Sequence, residues 1–277
     1  MAVRIITDSA ADLGEFKHDK LTVVPLHGRF GDEEFLDGVE LTPHQFYEKL
    51  IETDEMPKTA QATPFQFEEA IDAAGDDDVV IITLASKLSG TNQSANIAAM
   101  DRDNVYVIDS DTASLGENIL VRRALELADE GKTAKEITDI LNEEKGRIRL
   151  IALLDTLEYL KKGGRISAAA AAAGNMLKLK PVINILNGEV GVIGKARGSK
   201  KGQNLLREQV AAEAVDYDMP FVLGYTGDDQ AMLNKYIEDS PELLERTTPP
   251  LPIVEVGPAI GTYAGPGVIG LAYFTEK

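Results

Sequence analysis

The sequence predicts an α/β protein in two parts: an N-terminal three-layer domain with a parallel sheet, and a C-terminal α/β domain with a mixed sheet. Three observations support this fold class. Short strands that are apolar on both faces alternate with helical stretches through the first half, which is typical of a parallel sheet covered on both sides. The second half instead contains consecutive strands and a hairpin signal. With 277 residues, of which 44% are hydrophobic, the chain is long enough for two domains.

The first half contains four strand candidates separated by loops and helical stretches. The strands are predicted at 3–7, 21–26, 78–84 and 104–109, and the helices at 42–52, 63–74, 86–100, 115–129 and 133–148. Right-handed crossovers bring the loops after such strands together at one edge of the sheet, where open α/β sheets bind ligands. We place the domain junction at Arg147, which gives domains 1–147 and 148–277.

The second half has shorter helices and more strands. Strands are predicted at 149–154, 181–185, 189–194, 220–226, 251–256 and 267–274, and helices at 155–162, 167–177, 200–215 and 228–239. The pair Asn187-Gly188 between two of the strands is a strong signal for a tight hairpin turn. These elements predict a mixed sheet with helices on one side.

The composition excludes several classes of function. The formal charge is −18, from 46 acidic and 28 basic residues, and such a surface repels nucleic acid and anionic lipid headgroups. The chain has no cysteine, which rules out disulfides and thiolate metal sites. The longest uncharged run, 256–275, is interrupted by Gly and Pro, and the first residues lack the apolar segment of a signal peptide. We therefore expect a cytoplasmic protein with no nucleic-acid partner and no stable membrane insertion.

Polar residues follow the predicted strands of the first half. The segment KLSGTNQSA, which contains Ser89, Gly90 and Thr91, leads from the strand at 78–84 into an alanine-rich helix. Unpaired backbone N–H groups and hydroxyls at such a helix start can bind an anion. Serine and threonine are also the ordinary residues for capping a helix, so the pattern on its own leaves both interpretations open.

Two aspartates give an alternative function at the same sheet edge. Asp8 and Asp109 end the first and fourth strands, and with Ser89 they are candidates for a phosphotransferase or hydrolase, with or without Mg²⁺. Helix capping explains both aspartates more simply. No general base is evident beside Ser89, and no nucleotide-binding glycine loop is present. The main hypothesis accordingly includes no catalytic residue, metal site or cofactor.

Three segments of the second half carry further candidates. Arg165 precedes six consecutive alanines, which fits either tight helix packing or a slender apolar ligand whose carboxylate lies near the arginine. Residues 194–207 concentrate basic side chains, which indicates a solvated surface or a docking site for an acidic partner. The docking candidates are Lys195, Arg197, Lys200 and Lys201. The glycine-rich segment 256–270 surrounds Tyr263 and is predicted as loop and strand.

Together these segments resemble the DegV family of bacterial fatty-acid-binding proteins. The resemblance covers nearly the whole chain and rests on motifs in the family's order: TDSAADL, VVPL, KTAQATP, SKLSGTNQSA, VIDS, LEYLKKGGRIS, KLKPVI, KARGSKKG and GPAIGTYAGPG. It implies the two-domain α/β fold with one acyl chain buried between or beneath the domains. Members of the family bind a long-chain fatty acid and present its carboxylate to a separate fatty acid kinase, which uses ATP to form acyl-phosphate.

The resemblance also implies roles for particular residues. Thr59 of KTAQATP and Ser89 of KLSGT match the residues that hold the carboxylate, and Arg165 of GGRIS matches an arginine near them. The segment with Arg197 matches the region expected to dock the kinase. Tyr263 stands where the family usually has histidine, and a phenol donates hydrogen bonds but gains no proton near neutral pH. We expect a monomeric carrier and not an enzyme. The predicted ligand contacts are Thr59, Ser89, Gly90, Thr91, Arg165 and Tyr263.

Overall fold

The computed structural model describes residues 2–53, 55–167, 179–227, 229–247 and 250–277, apart from the side chain of Leu244. The predicted helix at 167–177, with its six alanines, lies outside the described residues except for Ser167. The strands are β1 Val3–Asp8, β2 Leu21–Val24, β3 His27–Phe30, β4 Glu33–Leu36, β5 Lys58–Ala60, β6 Asp78–Thr83, β7 Val105–Asp109, β8 Ile148–Leu153, β9 Leu179–Leu186, β10 Glu189–Arg197, β11 Val222–Tyr225, β12 Ile253–Glu255 and β13 Ile269–Phe274.

The described residues form ten α-helices, three of which begin directly after a capping threonine. They are α1 Pro43–Glu52, α2 Pro64–Ala73, α3 Thr91–Ala98, α4 Leu115–Asp129, α5 Ala134–Glu144, α6 Glu158–Lys162, α7 Ser199–Ala211, α8 Ala231–Glu238, α9 Pro241–Arg246 and α10 Pro258–Ala264, with short 3₁₀ helices at Ser9–Ala11 and Lys145–Arg147. A threonine before each of α1, α2 and α5 forms a capping box with the glutamine or glutamate three residues later.

Four strands of the first half form a parallel sheet in the order β2-β1-β6-β7. The central strand β6 is inaccessible to solvent from Val79 to Ile82, because helices cover both faces of the sheet. The predicted parallel sheet with strands apolar on both faces is therefore confirmed.

The second large sheet has six strands in the order β10-β9-β8-β13-β11-β12. Its pairings are antiparallel except for β11 with β12, so the sheet is mixed, as predicted. Strands β9 and β10 form the predicted hairpin. Asn187 and Gly188 have φ of 51° and 72°, which is the left-handed conformation that a two-residue turn of this kind requires.

A small antiparallel sheet, in the order β4-β3-β5, is missing from the sequence prediction. Its strands have three or four residues each and are partly charged, so they lack a clear alternating pattern. One signal was present, since Gly31 occupies the first central position of the turn between β3 and β4 with φ of 56°. The sheet matters for the site because β5 carries Thr59.

Helix α4 lies between the two large sheets. Ile119 and Val121 of α4 belong to one apolar core with Ile5 of the parallel sheet and Leu150 and Val222 of the mixed sheet, and all five are buried. Helices α2 and α3 cover the outer face of the parallel sheet, and α7 and α8 cover the outer face of the mixed sheet. The junction at Arg147 stays a prediction.

Two predicted elements need correction. The helix predicted at 86–100 begins only at Thr91, because the backbone N–H of Ser86 is held by the Asp109 carboxylate and the preceding residues form a loop. The segment 256–270, predicted as loop and strand, contains α10. Here Pro258 occupies the first helical turn and Gly265, with φ of 73°, follows the last residue, so the same breakers mark helix ends. Within the described ranges no helix is both long and apolar enough to cross a membrane.

Replacement of Ile119 by alanine tests the role of α4 as the shared layer. Ile119 is fully buried, so we expect Ile119→Ala to lower the free energy of unfolding by about 2–5 kcal/mol, measured by urea denaturation. The matched control is Ile97→Ala on α3, where the side chain is 45% exposed and the expected change is within about 0.5 kcal/mol. Equal losses in the two variants would contradict the assignment.

Candidate functional site

An apolar cavity of about 120 Å³ lies between the α4-facing side of the mixed sheet and loops of the first half. This volume is roughly ten times the minimum for one water molecule. Apolar side chains from both halves of the chain line the cavity, among them Leu26, Leu84, Leu154, Ile183 and Ile260. Four polar side chains that the sequence analysis singled out also line it: Thr59, Ser89, Arg165 and Tyr263.

The loops that wall the cavity are tied together by Asp8. Its carboxylate accepts hydrogen bonds from the backbone N–H of Ala10 at 3.0 Å and of Leu84 at 3.0 Å, which joins the loop after β1 to the loop after β6. The N–H of Ala85 donates to the carbonyl of Thr112 at 2.7 Å, which adds the loop after β7. The carboxyl ends of three parallel strands thus form one continuous wall.

Two hydroxyl groups that are far apart in the sequence meet at the polar side of the cavity. Thr59 Oγ1 and Tyr263 Oη are 2.6 Å apart. Because one O–H proton suffices for this bond, the other hydroxyl proton is available to a ligand. The position of Tyr263 depends on Gly163, since a Cβ at residue 163 would lie 2.3 Å from the tyrosine ring. Gly163 therefore determines where the phenol group lies.

Arg165 lies over the face of the Tyr263 ring, with its Cζ 4.6 Å from the ring centre. Its Nη1 donates to the carbonyl of Gly163 at 2.7 Å, and its Nε donates to the carbonyl of Leu88 at 3.3 Å. These two bonds and the ring contact fix the guanidinium, yet they use only part of its five N–H donors. A fixed cation is thus provided at the polar side of an otherwise apolar cavity.

Ser89 is held by the start of α3. Its Oγ is 2.9 Å from Thr91 Oγ1 and accepts the backbone N–H of Thr91 at 3.3 Å. Gly90 lies against the side chain of Gln61, where a Cβ would come within 1.9 Å of the amide oxygen. Thr91 is fully buried. Of the predicted contacts, Ser89 therefore lines the cavity, and Gly90 and Thr91 lie behind it.

Two buried carboxyl groups hold the start of α10, the helix that carries Tyr263. Asp12 Oδ1 accepts the N–H of Gly257 at 2.8 Å, and Asp37 Oδ1 accepts the N–H of Ala259 at 3.1 Å. Negative charge is favourable at a helix N-terminus. Burial nevertheless raises the pKa of the Asp37 carboxyl to about 6 and holds the pKa of Asp12 well above its usual value.

Asp8 and Asp109, the candidates for the alternative phosphotransferase or hydrolase function, form hydrogen bonds that hold loops in place. Burial raises the pKa of the Asp8 carboxyl to about 7, and both of its oxygens accept backbone N–H groups. Asp109 accepts the N–H groups of Ser86 and Asp111. In the part of the chain that the structure describes, no group of His, Asp or Glu side chains is arranged to hold a metal ion. Asp8 is the N-cap of the 3₁₀ helix Ser9–Ala11, so the capping interpretation is confirmed for Asp8, whereas Asp109 binds N–H groups of two loops and not of a helix start.

The basic segment lies on the end of β10 and the first turn of α7. Lys195, Arg197, Lys200 and Lys201 are all exposed, and among the described residues none of the four takes part in an ion pair within 4 Å. The same strand β10 contributes Val190 to the cavity wall. The cavity and the basic segment thus share one secondary-structure element.

The sequence model of the family described as "Uncharacterised protein, DegV family" matches residues 2–276. The chain belongs to the DegV family. It is 36% identical over 281 residues to a DegV domain-containing protein of Caldanaerobacter subterraneus, with 99% of both chains covered.

Solved structures of DegV proteins have the same fold. A DegV family protein from Thermus thermophilus, whose structure is described as fatty acid binding, superimposes with a TM-score of 0.87 at 29% identity over 100% of both chains. A DegV family protein from Eubacterium eligens, loaded with heptadecanoic acid, gives a TM-score of 0.85 at 27% identity, with 99% of this chain and 100% of the other covered.

Sequence reasoning missed Asp12 and Asp37 as residues that support the site. Each lies in a loop, and its partner is about 220 residues or more away in the sequence. A weak signal exists for Asp12, because the short TDSAADL motif contains two aspartates and only Asp8 is needed to cap the following turn. For Asp37 the sequence offers no comparable signal.

The raised pKa values predict that stability falls as the pH rises. Asp8 and Asp37 titrate at about 7 and about 6 in the folded chain, above the unfolded value near 4, so the folded state binds more protons between about pH 4 and 7. The free energy of unfolding therefore decreases through this window. Asp37→Asn keeps an oxygen for the N–H of Ala259 and removes the titration. Between pH 4.5 and pH 8 we expect this variant to reduce the decrease in the free energy of unfolding by about 2 kcal/mol.

Urea denaturation at pH 4.5 and pH 8 measures this change. The control variant is Asp76→Asn, which removes an exposed carboxylate and should leave the pH dependence as it is. A pH dependence in Asp37→Asn equal to that of the unmodified chain would contradict the interpretation.

Proposed function

We propose that the chain binds one long-chain fatty acid in the cavity and presents its carboxylate to a separate fatty acid kinase. The observation that carries the proposal is an apolar cavity that ends at Thr59, Ser89, Arg165 and Tyr263. The family relatives from Thermus and Eubacterium, described with fatty acid binding and with bound heptadecanoic acid, support the ligand class.

The acyl tail accounts for the apolar part of the cavity. Burial of one methylene group contributes about 0.8 kcal/mol, so a long chain gains enough to offset the cost of ordering it. The walls consist mainly of Leu, Ile, Val and Ala side chains. These side chains make apolar contacts with a hydrocarbon chain and offer it no hydrogen-bonding groups.

The carboxylate accounts for the polar side. The free proton of the Thr59–Tyr263 pair and the Ser89 hydroxyl donate hydrogen bonds to the two carboxylate oxygens, and Arg165 balances the charge. Bonds to a charged acceptor are the stronger ones. Gly90 and Thr91 act indirectly, because they hold Ser89 and allow Gln61 to pack against the loop.

The same contacts favour a carrier over an enzyme. Ser89 Oγ is bonded to the hydroxyl and N–H of Thr91, and no basic side chain among the described residues is hydrogen-bonded to it. Nucleophilic catalysis needs such a base. Asp8 and Asp109 are occupied by backbone N–H groups, so we assign them to the support of the loops.

The kinase would dock at the basic segment of β10 and α7. The four exposed cations make this segment locally positive in a chain of net charge −18. An acidic partner surface is electrostatically complementary to such a segment. Because β10 also walls the cavity, a partner bound there lies on the strand that contacts the ligand. The resemblance of KARGSKKG to the docking region of the family supports this placement.

The double variant Thr59→Ala/Ser89→Ala tests the head-group contacts. Two hydrogen bonds to a charged group are worth about 1.5–3 kcal/mol each, so the affinity for palmitate or oleate should fall at least about 100-fold. The control is Thr22→Ala/Ser86→Ala, which removes two exposed hydroxyls that do not line the cavity. Binding is measured by fluorescence competition. Unchanged affinity in a folded Thr59→Ala/Ser89→Ala variant would reject the proposed head-group site.

Charge reversal tests the docking surface separately. Lys195→Glu/Lys201→Glu should leave the affinity for the fatty acid unchanged and lower the rate of kinase-dependent acyl-phosphate formation by about tenfold or more. The remaining rate should also depend less on the salt concentration. The control Lys17→Glu/Lys135→Glu makes the same change of net charge at exposed positions elsewhere. If both double variants lower the rate equally, the effect is one of net charge and the docking assignment is wrong.

A further inference from the structure

Small residues form one row across three strands of the mixed sheet, on the face that borders the cavity. Gly224 of β11 pairs with Gly270 of β13, and Gly270 pairs with Ala152 of β8. All three line the cavity. Because side chains alternate between the faces of a sheet, residues paired in this way point to the same side. The cavity is therefore deepest along this row, because glycine and alanine have the smallest side chains.

Larger side chains border the row on both sides. Leu150, two residues before Ala152, forms one wall. The other wall is formed by Leu154, two residues after Ala152, and by Val268, two residues before Gly270. The floor is thus a trough that runs across the strands between these larger side chains.

Leu115, the first residue of α4, closes the trough at one end. Its Cδ2 lies 2.6 Å from the position that a Cβ of Gly224 would take, and its Cδ1 lies 3.4 Å from that of Gly270. The side chain therefore rests directly on the two glycines. Leu115 is buried and belongs to the core between the sheets. Nothing larger than glycine fits beneath it without a shift of the leucine side chain.

The polar side lies at the other end of the trough. Ile183 of β9 pairs with Ala152, so it continues the row at the end away from Gly224. Tyr263 packs against the apolar cluster that contains Ile183. Leu115 lies at the opposite end, over Gly224. A tail that follows this row from a carboxylate at Tyr263 runs toward Leu115. The methyl end of the tail then meets the leucine side chain.

We propose that Leu115 is the end stop of the acyl chain and that its contact with Gly224 and Gly270 sets the longest fatty acid the protein accepts. The inference rests on the proposed function, because it places the carboxylate at the polar side. The ligand site is the cavity already described, and the trough only shapes its floor.

Two substitutions move the stop in opposite directions. Leu115→Ala removes three carbon atoms and opens the trough above the glycines, so acids about two methylenes longer than the preferred chain should gain about tenfold in relative affinity. Gly224→Ala adds a methyl group that pushes the Leu115 side chain into the cavity, so the preference should shift to shorter acids.

If the two substitutions act through the same contact, their effects on the chain-length preference should not be additive. In a Leu115→Ala background, Gly224→Ala meets no leucine side chain and should change the preference much less than it does alone. The control is Leu125→Ala, which truncates a buried leucine on the same helix that does not line the cavity. It should leave the chain-length preference unchanged. Leu115→Val provides the same test if Leu115→Ala does not fold.

Competition among saturated acids of graded length, read by native mass spectrometry, distinguishes the outcomes. A longer preference in Leu115→Ala, a shorter one in Gly224→Ala and non-additivity in the double variant support the proposal. Binding with the original preference in Leu115→Ala or Leu115→Val rejects the end stop and leaves the proposed function intact. An unmodified chain that binds no acid of any length rejects the proposed function as well.

Discussion

One buried carboxyl group, that of Asp12, joins the two helices whose ends shape the cavity. Its Oδ2 accepts the hydroxyl of Ser114 at 2.5 Å, and its Oδ1 accepts the N–H of Gly257 at 2.8 Å. Ser114 precedes α4 with φ of 52°, a conformation that costs energy for a residue other than glycine. The bond to Asp12 and the bond from the Ser114 N–H to the Ala10 carbonyl hold that conformation. They thereby fix Leu115 at one end of the cavity.

The other end of the cavity depends on the same group through α10. Asp12 and Asp37 bind the first N–H groups of this helix, and Tyr263 lies on its last turn. The hydroxyl of Tyr47 also donates to the carbonyl of Val256 at 2.9 Å, directly before the helix. The polar and the apolar ends of the site are therefore positioned by one hydrogen-bonded network of buried groups. The hydrogen bonds of this network offset the cost of burying the carboxyl groups.

Sequence reasoning predicts the features that local pattern determines. The strand β6 is a continuous apolar run, and the turn at Asn187-Gly188 has its own chemistry, so both are predicted correctly. The motif resemblance places Thr59, Ser89, Arg165 and Tyr263, which all line the cavity. The features that depend on distant partners are not predictable in this way. The bonds of Asp37 and the trough of Gly224 and Gly270 exist only once strands from different parts of the chain are in register.

Native mass spectrometry of the purified chain tests whether the cavity holds one fatty acid. We expect one fatty acid per chain, retained under native conditions and released on denaturation, because its tail is buried and its carboxylate is bonded at the polar end. A chain that is isolated empty and takes up neither palmitate nor oleate when they are added would contradict it.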